Sequence, residues 1–234
     1  MYQGKSFLAI IPARGGSKRL PRKNVLPLAG RPLIGWSIQA ALESRYIDRV
    51  IVSSDDGEIL GLAEQLGAEA LLRPIELAAD DANTIDVLIH AVTKAGHSYD
   101  HVVLLQATSP LRGANHIDEA VEYMLAIQAG SVISVTEAEH SPLWANVLPE
   151  DGCLRSFIRD DVVGKRSQDL DTYYRLNGSI YIAKTDRLIS SKSLMFDDSY
   201  AYVMSRECSI DIDTLYDFIC AEALINYQST KLVT

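Results

Sequence analysis

The feature that most constrains the fold is a repeated alternation between two hydrophobic periods, which lasts until about residue 136. Short apolar runs predict strands that are covered on both faces. These runs lie at 7–11, 50–53, 101–106 and 131–135. A further strand is predicted at 68–72, where Glu69 interrupts the run AEALL. Four stripes with the i, i+3, i+4 spacing of a helix lie between them, starting at Ile34, Ile59, Ile85 and Ile117. Strand followed by helix, several times over, predicts an α/β fold with a doubly wound, mainly parallel sheet and helices on both faces.

The predicted sheet also indicates where a ligand would bind. In open α/β sheets, ligands bind beyond the carboxyl ends of the strands, where loops lead into the helices. This rule selects four loops, at 12–31, 54–56, 73–84 and 106–114. We therefore look for functional side chains in these loops first.

The alternation stops after residue 136. Residues 137–176 are polar and irregular, which predicts an excursion from the sheet that acts as a lid or as an oligomer contact. Strand-like runs return at 178–184 and 200–205, and a helix follows near the carboxyl terminus. We predict a single domain over 1–234 with 137–176 as an inserted subdomain.

The balance of charge and hydropathy excludes several classes of function. A formal net charge of −9 argues against broad nucleic-acid binding, because contact with a phosphate backbone needs a basic face. No stretch has the apolar length of a membrane span, and the first apolar run is too short for a signal peptide. Three cysteines without CxxC spacing favour a reducing compartment. We expect a cytoplasmic protein without a nucleic-acid or membrane partner.

The loop after the first strand concentrates positive charge in this acidic chain. The stretch IIPARGGSKRLPRKN, residues 10–24, carries five basic side chains. Gly15 and Gly16 let consecutive backbone N–H groups face an anion. Further donors come from Arg14, Ser17, Lys18 and Lys23. The spacing fits neither a Walker A loop nor G-x-G-x-x-G, so the sequence predicts a phosphate-binding loop of another type, with a solvated basic turn as the alternative.

Two carboxylates stand two residues apart in SIDIDT, residues 209–214. In an extended segment alternate side chains share a face, so Asp211 and Asp213 are placed to converge on one hard cation such as Mg²⁺. The alternative is that Asp213 caps the helix that begins near Thr214. A phosphate-binding loop elsewhere in the chain favours the metal site, because Mg²⁺ is often held by one or two carboxylates together with phosphate oxygens.

Polar residues at further strand ends are candidates for recognition of an organic ligand. Gln106 opens QATSPLR, residues 106–112, and its amide both donates and accepts hydrogen bonds. Arg73 ends another strand, and the loop after it leads to a helix start near Asn83 or Thr84. The start of a later strand is flanked by Arg175, Asn177 and Tyr181. The alternatives are a strand-ending turn, an ordinary crossover loop and, for the tyrosine, a place in the core.

At this point the chain resembles a known family, the CMP-sialic acid synthetases or acylneuraminate cytidylyltransferases, over nearly its whole length. Five stretches occur in the order found in that family: IIPARGGSKRLPRKN, LRPIELAADDA, LLQATSPLR, RLNGSIYI and SIDIDT. The resemblance implies that CTP binds with its triphosphate in the basic loop. It further implies that the anomeric hydroxyl of a nine-carbon 2-keto sugar acid attacks the α-phosphorus, giving a CMP-sugar and pyrophosphate with Mg²⁺ or Mn²⁺ as cofactor.

The resemblance also implies roles for individual residues. Nucleotide-binding residues would be Ala13, Arg14, Gly15, Ser17, Lys18, Lys23, Asn24, Arg73, Ala82 and Thr84. Sugar-binding residues would be Gln106, Arg166, Arg175, Asn177 and Tyr181, with the arginines facing the carboxylate of the acid. The catalytic residues would be Arg14, Lys23 and Asp211, and the metal ligands Asp211 and Asp213. In the family the excursion 137–176 builds a homodimer contact, and the partner subunit helps to close the sugar site.

Three other functions stay open at the level of the sequence. A cytidylyltransferase for the eight-carbon acid Kdo would share the chemistry and the fold, with a smaller pocket. A glycosyltransferase would use Asp211 and Asp213 as a metal-binding D-x-D motif for a nucleotide sugar, which leaves the triphosphate-sized basic loop unexplained. A non-enzymatic nucleotide sensor would tolerate the loss of Asp211 or Lys23, yet both are present.

Overall fold

A computed structural model describes residues 1–79, 81–96 and 99–231 and shows a seven-stranded sheet flanked by helices. The strands are β1 (Phe7–Pro12), β2 (Pro27–Leu28), β3 (Arg31–Pro32), β4 (Arg49–Ser54), β5 (Glu69–Leu72), β6 (His101–Leu105), β7 (Ser131–Glu137), β8 (Tyr174–Lys184) and β9 (Ser199–Val203). The helices are α1 (Leu33–Glu43), α2 (Gly57–Gln65), α3 (Thr84–Ala95), α4 (Ala114–Ala126), α5 (Thr185–Ser191) and α6 (Leu215–Lys231). Strands β2 and β3 form a separate two-stranded ribbon.

The strand order in the main sheet is β5-β4-β1-β6-β8-β7-β9. Strands β5, β4, β1 and β6 pair in parallel, as do β7 and β9. Strand β8 runs antiparallel to both of its neighbours, β6 and β7. Parallel neighbours need crossover connections, but the chain enters β8 from the irregular excursion and returns in the opposite direction. The predicted α/β class with a mainly parallel sheet is confirmed.

Strand β1 shows why the sheet needs apolar side chains on both faces. Ala9 and Ile11 belong to the cluster that packs under α1, α2 and α4. Leu8 and Ile10 belong to the cluster on the opposite face, under α3 and α5. All four side chains are fully buried. An uninterrupted apolar run in the sequence therefore corresponds to a strand that is covered on both sides.

Local capping chemistry accounts for the starts of two helices. Asp56 caps α2 by accepting a hydrogen bond from the N–H of Glu58 (2.8 Å), and Asn83 caps α3 by accepting one from the N–H of Ile85 (2.9 Å). The sequence pattern does not predict α5, because a helix of 7 residues buries too few side chains to leave a stripe. Within the described ranges, none of the helices combines the length and the apolar character that a membrane crossing requires.

The irregular excursion is shorter than the sequence pattern predicts. Glu137 still pairs with Tyr174 across β7 and β8, because backbone pairing does not depend on apolar side chains. The irregular part is therefore 138–173, which we call the arm. It contains two single 3₁₀ turns, Pro142–Trp144 and Ser167–Asp169, and is otherwise without regular secondary structure.

Candidate active site

The candidate site lies at the carboxyl ends of β1, β5 and β6, where two cavities adjoin. The strand-end cavity, of about 260 Å³, is lined by residues that include Arg73, Ala82, Thr84, Gln106 and Thr108. The basic cavity, of about 360 Å³, is lined by residues that include Ser17, Lys18, Arg19, Lys23, Asn24 and Asp213. Pro12 and Arg14 line both, so the end of β1 connects the two cavities.

In the basic cavity, cations from the loop after β1 contact the carboxylate of Asp213. Lys23 Nζ donates to Asp213 Oδ1 (2.9 Å) and to the carbonyl of Ile212 (2.7 Å). Arg19 donates to Asp213 Oδ2 (2.9 Å). The Lys23 side chain is only 14% exposed, whereas that of Arg19 is 73% exposed. These contacts join the predicted phosphate loop to the predicted metal motif, 190 positions apart in the chain.

The other residues predicted to bind phosphate lie around the same cavity. Asn24 is buried, and its Nδ2 donates to the carbonyl of Arg14 (3.0 Å), which holds the two ends of the loop together. Its Oδ1 has no hydrogen-bond partner among the described residues. Ala13, Ser17 and Lys18 complete this part of the lining. The structure thus brings these residues, all predicted to bind the nucleotide, into one cavity.

Gly15 is required by a close approach to the end of β4. A Cβ at Gly15 would lie 2.6 Å from Asp56 Oδ2 and 2.9 Å from Asp56 Cβ, so Asp56 would have to shift to make room for it. The N–H of Gly15 donates to Asp55 Oδ1 (3.2 Å). The sequence predicts that the N–H groups of the glycine pair face a bound anion, whereas in the structure this N–H is used by a carboxylate of the protein itself. A Cβ at Gly16 would meet open space.

Arg73, at the end of β5, gives the strand-end cavity a buried positive charge. Its side chain is 5% exposed, and Nη2 lies 3.8 Å from Asp55 Oδ1. Burial lowers the pKa of Arg73; the charge of Asp55 opposes this effect, and the charge of Arg14 adds to it. Its Nε has no hydrogen-bond partner within the described ranges. A buried donor that is not used by the protein favours a ligand with an acceptor, next to Ala82 and Thr84.

Asp211 and Asp213 share one face because the residue between them points into the protein. Ile212 is fully buried in the apolar cluster beneath α6. Asp213 does not cap this helix. The carboxylate of Asp217 instead accepts the N–H groups of Asp213 (3.1 Å) and Thr214 (2.7 Å). The alternative in which Asp213 serves only as a helix cap is therefore not what the structure shows.

The chemistry of the carboxylate pair fits a divalent cation. Burial raises the pKa of Asp211; hydrogen bonding from Thr108 opposes this effect, and repulsion from Asp213 adds to it. A cation between the two carboxylates would relieve both the lost hydration and the repulsion. In the described part of the chain, no cluster of three or more acidic, histidine or cysteine side chains forms a complete ligand set. A cation held here would therefore take further oxygen ligands from phosphate or water.

A bulge in β8 lies close to both the end of β6 and Asp211. The pairing of β7 with β8 shifts register between Ile133 and Val135, and Gly178 adopts a positive φ of 74°. A Cβ at Gly178 would lie 3.2 Å from Gln106 Oε1 and 3.7 Å from Asp211 Oδ2. Because glycine has no Cβ, the amide of Gln106 and the carboxylate of Asp211 can both approach the backbone of Gly178 closely.

Asn177 lies next to this bulge but does not face the cavities. It is 2% exposed. Its Oδ1 accepts a hydrogen bond from Ser134 (2.6 Å), and its Nδ2 donates to Ser209 (2.9 Å). Both ends of the amide are used inside the protein, so the placement of Asn177 departs from the predicted sugar contact. The structure indicates that Asn177 holds the bulge in shape.

The remaining residues predicted to bind the sugar acid occupy different surroundings. Tyr181 is half-buried, and burial together with the nearby charge of Asp211 raises its pKa. Arg175 donates two hydrogen bonds to Glu139, at 2.7 and 3.3 Å. Arg166 lies in the arm and pairs with a carboxylate three residues further along the chain. The structure brings Tyr181 close to Asp211 and leaves Arg166 on an exposed segment.

Three residues that shape the site carry no role in the sequence prediction. Asp55 holds the loop of β1, and its position in the selected loop 54–56 is the signal that could have found it. Arg19 contacts the metal motif, but the sequence does not distinguish it from the other cations of its loop. Ser134 fixes the bulge from the interior of β7, and an isolated serine in a strand gives no signal at all.

Comparison with known proteins adds the family. Residues 8–182 match the family described as Cytidylyltransferase. Over 97% of its length the chain is 38% identical to CMP-N,N'-diacetyllegionaminic acid synthase of Legionella pneumophila, of which it covers 99%. Over 91% of its length it is also 38% identical to N-acylneuraminate cytidylyltransferase of Streptococcus agalactiae, and it spans about half, 51%, of that protein.

A solved structure shows the same fold. The structure of CMP:2-keto-3-deoxy-manno-octonic acid synthetase complexed with CTP matches with a TM-score of 0.73 at 18% identity, covering 95% of this chain and 99% of that one. An identity this low supports the fold alone. The sequence matches go further and confirm the resemblance seen in the five motifs: this chain belongs to the cytidylyltransferase family.

Proposed function

We propose that this protein is a cytidylyltransferase that activates a nonulosonic acid, of the N-acetylneuraminate or legionaminate type, with CTP. The products would be the CMP-sugar and pyrophosphate. The observation that carries the proposal is the connection of the strand-end cavity to the basic cavity through Arg14, with Asp213 on the lining of the second cavity. A nucleotide needs this combination of a polar pocket for the base and ribose and a cationic pocket for the phosphates.

The two cavities would divide the nucleotide between them. In the strand-end cavity, the buried guanidinium of Arg73 would meet the nucleoside, beside Ala82 and Thr84. In the basic cavity, Lys18 and Lys23 would bind the phosphates as charged donors. Hydroxyl and amide groups on the same lining would complete the contacts.

Asp211 and Asp213 would hold Mg²⁺ or Mn²⁺, which when bound polarises the phosphate and helps to acidify the attacking hydroxyl. In the structure, Lys23 and Arg19 contact the two oxygens of Asp213. A triphosphate offers these cations a partner with more negative charge. Binding of CTP would therefore draw the cations away and release the carboxylate.

In the proposed reaction, the anomeric oxygen of the acid forms a bond to the α-phosphorus of CTP. The bond from that phosphorus to the pyrophosphate oxygen breaks, and the hydroxyl proton is lost to solvent. Arg14 and Lys23 would neutralise the charge that moves onto the leaving pyrophosphate. The loop that carries them is already held in place, since Asn24 bonds the carbonyl of Arg14 (3.0 Å).

The sugar acid would lie where Gln106 and Asp211 meet over Gly178, with Tyr181 beside them. Arg175 would meet the carboxylate of the acid. Its guanidinium is held in the structure by Glu139 at 2.7 Å. Arg175 would exchange one carboxylate partner, Glu139, for another, that of the acid. Its positive charge would therefore stay neutralised when the acid binds.

We infer that the arm contacts a second copy of the chain. It exposes large apolar residues. The exposed fraction lies between 60% and 86% for each of Val147, Leu148, Leu154 and Val163. A segment without a core of its own gains stability when such side chains are buried against a partner. Arg166, on the same segment, would then reach the sugar site of the partner copy.

The relatives support the choice of acid. The names of the two sequence relatives specify N-acylneuraminate and N,N'-diacetyllegionaminic acid, whereas the likeness to the octonic acid synthetase is one of fold. A nine-carbon acid is therefore better supported than Kdo. The name of neither sequence relative supports the glycosyltransferase alternative.

The test is pyrophosphate release with CTP and Mg²⁺, measured in parallel with N-acetylneuraminate, N,N'-diacetyllegionaminate and Kdo. We expect release with a nine-carbon acid, and the highest kcat/KM identifies the substrate. A preference for Kdo would replace the proposal by its alternative, and no release with any acid would end the cytidylyltransferase proposal for this chain.

Two variants control the experiment. Asp211→Ala should abolish release, because it removes one of the two proposed metal ligands. Glu69→Ala removes an exposed carboxylate that pairs with Arg49 at the opposite end of β5, and it should leave release unchanged.

A further inference from the structure

The buried Arg112 is the feature that the proposed reaction leaves unexplained. It ends the stretch QATSPLR, and only 1% of it is exposed. Its Nη1 donates to the carbonyl of Gln106 (3.3 Å) and to the carbonyl of Ser179 (3.0 Å). One guanidinium thus ties the loop after β6 to the bulged part of β8.

The charge of Arg112 is not neutralised by a neighbour. Both acceptors of Nη1 are uncharged carbonyls, and among the described residues Nε and Nη2 have no hydrogen-bond partner. Burial lowers the pKa of Arg112 to about 9, and within the described ranges no carboxylate opposes that effect. The buried Arg73 differs, because Asp55 lies 3.8 Å from it.

Stability alone does not account for a guanidinium at this position. Burying a charge without a counter-charge is unfavourable, and an apolar side chain of similar size would fill the space without that penalty. The carbonyl of Gln106 already accepts a hydrogen bond from a neutral donor, the hydroxyl of Ser37 (3.0 Å). The position is better explained by a use for the charge and for Nη1, which bonds two carbonyls from one nitrogen.

Both carbonyls belong to segments that build the proposed sugar-acid subsite. The side chain of Gln106 approaches Gly178, and Ser179 follows that glycine directly. Asp211 lies on the other side of the same glycine. A shift of either carbonyl would therefore change the separation between the Gln106 amide and the Asp211 carboxylate.

We propose that Arg112 is a positioning residue for the sugar-acid subsite. It fixes the Gln106 loop against the β8 bulge and leaves an unneutralised positive charge behind the place where the anionic acid binds. The inference rests on the proposed function. The effective dielectric constant is low in a protein interior. A buried positive charge there therefore attracts a bound carboxylate more strongly than a solvated lysine would.

Two substitutions separate the geometry from the charge. Arg112→Met keeps the length of the side chain but removes the charge and the donors, so we expect kcat/KM for the acid to fall about 10- to 100-fold, with a raised KM. Arg112→Lys keeps the charge, but the side chain is shorter and its ammonium does not reach the position of Nη1, so we expect a reduced kcat with a KM for the acid within about 3-fold of the wild type. The kcat and KM of both variants are measured by pyrophosphate release, and the thermal midpoint of unfolding is recorded for each variant.

A role in stability alone predicts a different pattern. Asp118→Asn removes a buried acceptor of Ser44 and Arg45, and this control should lower the thermal midpoint without changing the KM for the acid. The proposal is overturned if folded Arg112→Met keeps the wild-type kcat and KM, or if Arg112→Lys raises the KM as much as Arg112→Met. Where Arg112→Met does not fold, an unchanged kcat in Arg112→Lys overturns it. Absence of activity in the wild type would count against the proposed function instead, so the two failures are distinguishable.

Discussion

The loop after β1 and the arm both belong to the proposed site, but they are held in different ways. The loop is tied to distant segments: Gly15 bonds Asp55, 40 positions away, and Lys23 bonds Asp213, 190 positions away. Such contacts form only when the sheet has brought its strands together. The loop therefore takes its shape from the whole fold.

The arm, by contrast, is held largely by local contacts. Arg159 pairs with Asp161, and Arg166 pairs with Asp169, two and three positions away. All four side chains are exposed, and the Val147 residue is 86% exposed. Exposed local ion pairs contribute little to stability.

The different ways in which the loop and the arm are held correspond to two requirements of the proposed reaction, one for binding phosphate and one for binding the sugar acid. A phosphate site works best when the loop that carries its charges is held in place before the substrate arrives, because less free energy is then lost in ordering that loop. A site that receives part of its lining from a second subunit needs a segment that is completed by that subunit. We therefore expect nucleotide binding to be a property of one chain and sugar binding to depend on two.

The largest effect is expected from Lys23→Met, which tests the fixed loop. The substitution removes the charge beside the leaving pyrophosphate and the anchor of Asp213, so kcat/KM should fall by about 10³-fold or more, equivalent to about 4 kcal/mol. Pyrophosphate release with CTP measures the loss. Arg22→Met removes a neighbouring exposed cation that pairs with Glu58 on α2, and it should retain most of the activity. A loss of less than tenfold in Lys23→Met would contradict the assignment of the loop.

An intermediate effect is expected from replacing both Val147 and Leu148 by Glu, which tests the arm. Two charges on this surface should prevent burial against a partner, so sedimentation velocity at micromolar concentration should show a monomer. The KM for the sugar acid should rise about tenfold, while the affinity for CTP stays near that of the wild type.

The control for the arm is Ile219→Glu, which places a charge on an exposed apolar position of α6 instead, 57% exposed. It should change neither the sedimentation coefficient nor the KM. If the arm variant weakens CTP binding as much as sugar binding, the contrast between the two regions disappears. If its oligomeric state is that of the wild type, the arm is not the contact.

The smallest effect is expected at the base of the arm, where Arg175 of β8 donates to Glu139 at 2.7 Å. The hydrogen bond from Arg175 is the main cause that lowers the pKa of Glu139 to about 2. This folded pKa lies below the pKa of about 4.3 that a glutamate has in the unfolded chain. The pair therefore contributes its full stabilisation at pH values above about 4.3. The contribution is lost as the pH falls towards 2.

Glu139→Gln measures this contribution directly. Because both side chains are about half-exposed, the substitution should lower the free energy of unfolding by less than about 1 kcal/mol at pH 7. The difference from the wild type, followed by urea denaturation at several pH values, should shrink only below about pH 4. A difference that does not change with pH would mean that the pair does not tie the arm to the sheet.

Much of the fold follows from the sequence because burial leaves a local pattern. Strand β1 is covered on both faces, so every residue from Phe7 to Ile11 must be apolar, and the run is visible without a structure. The start of helix α3 can also be predicted from the sequence, because Asn83 is a typical N-cap residue and caps this helix in the structure. The location of the candidate loops follows as well, since the carboxyl ends of parallel strands lie at one edge of a sheet.

The sequence alone determined that an acidic α/β chain carries a basic loop, a pair of carboxylates and an irregular excursion, because each is a local pattern. Only the tertiary structure decided that Lys23 contacts Asp213, that β8 runs against its neighbours and that Asn177 turns inward. The physical reason is the same in each case. These outcomes depend on which strands become neighbours, and strand order is fixed by packing over the whole sheet rather than by any short stretch of residues.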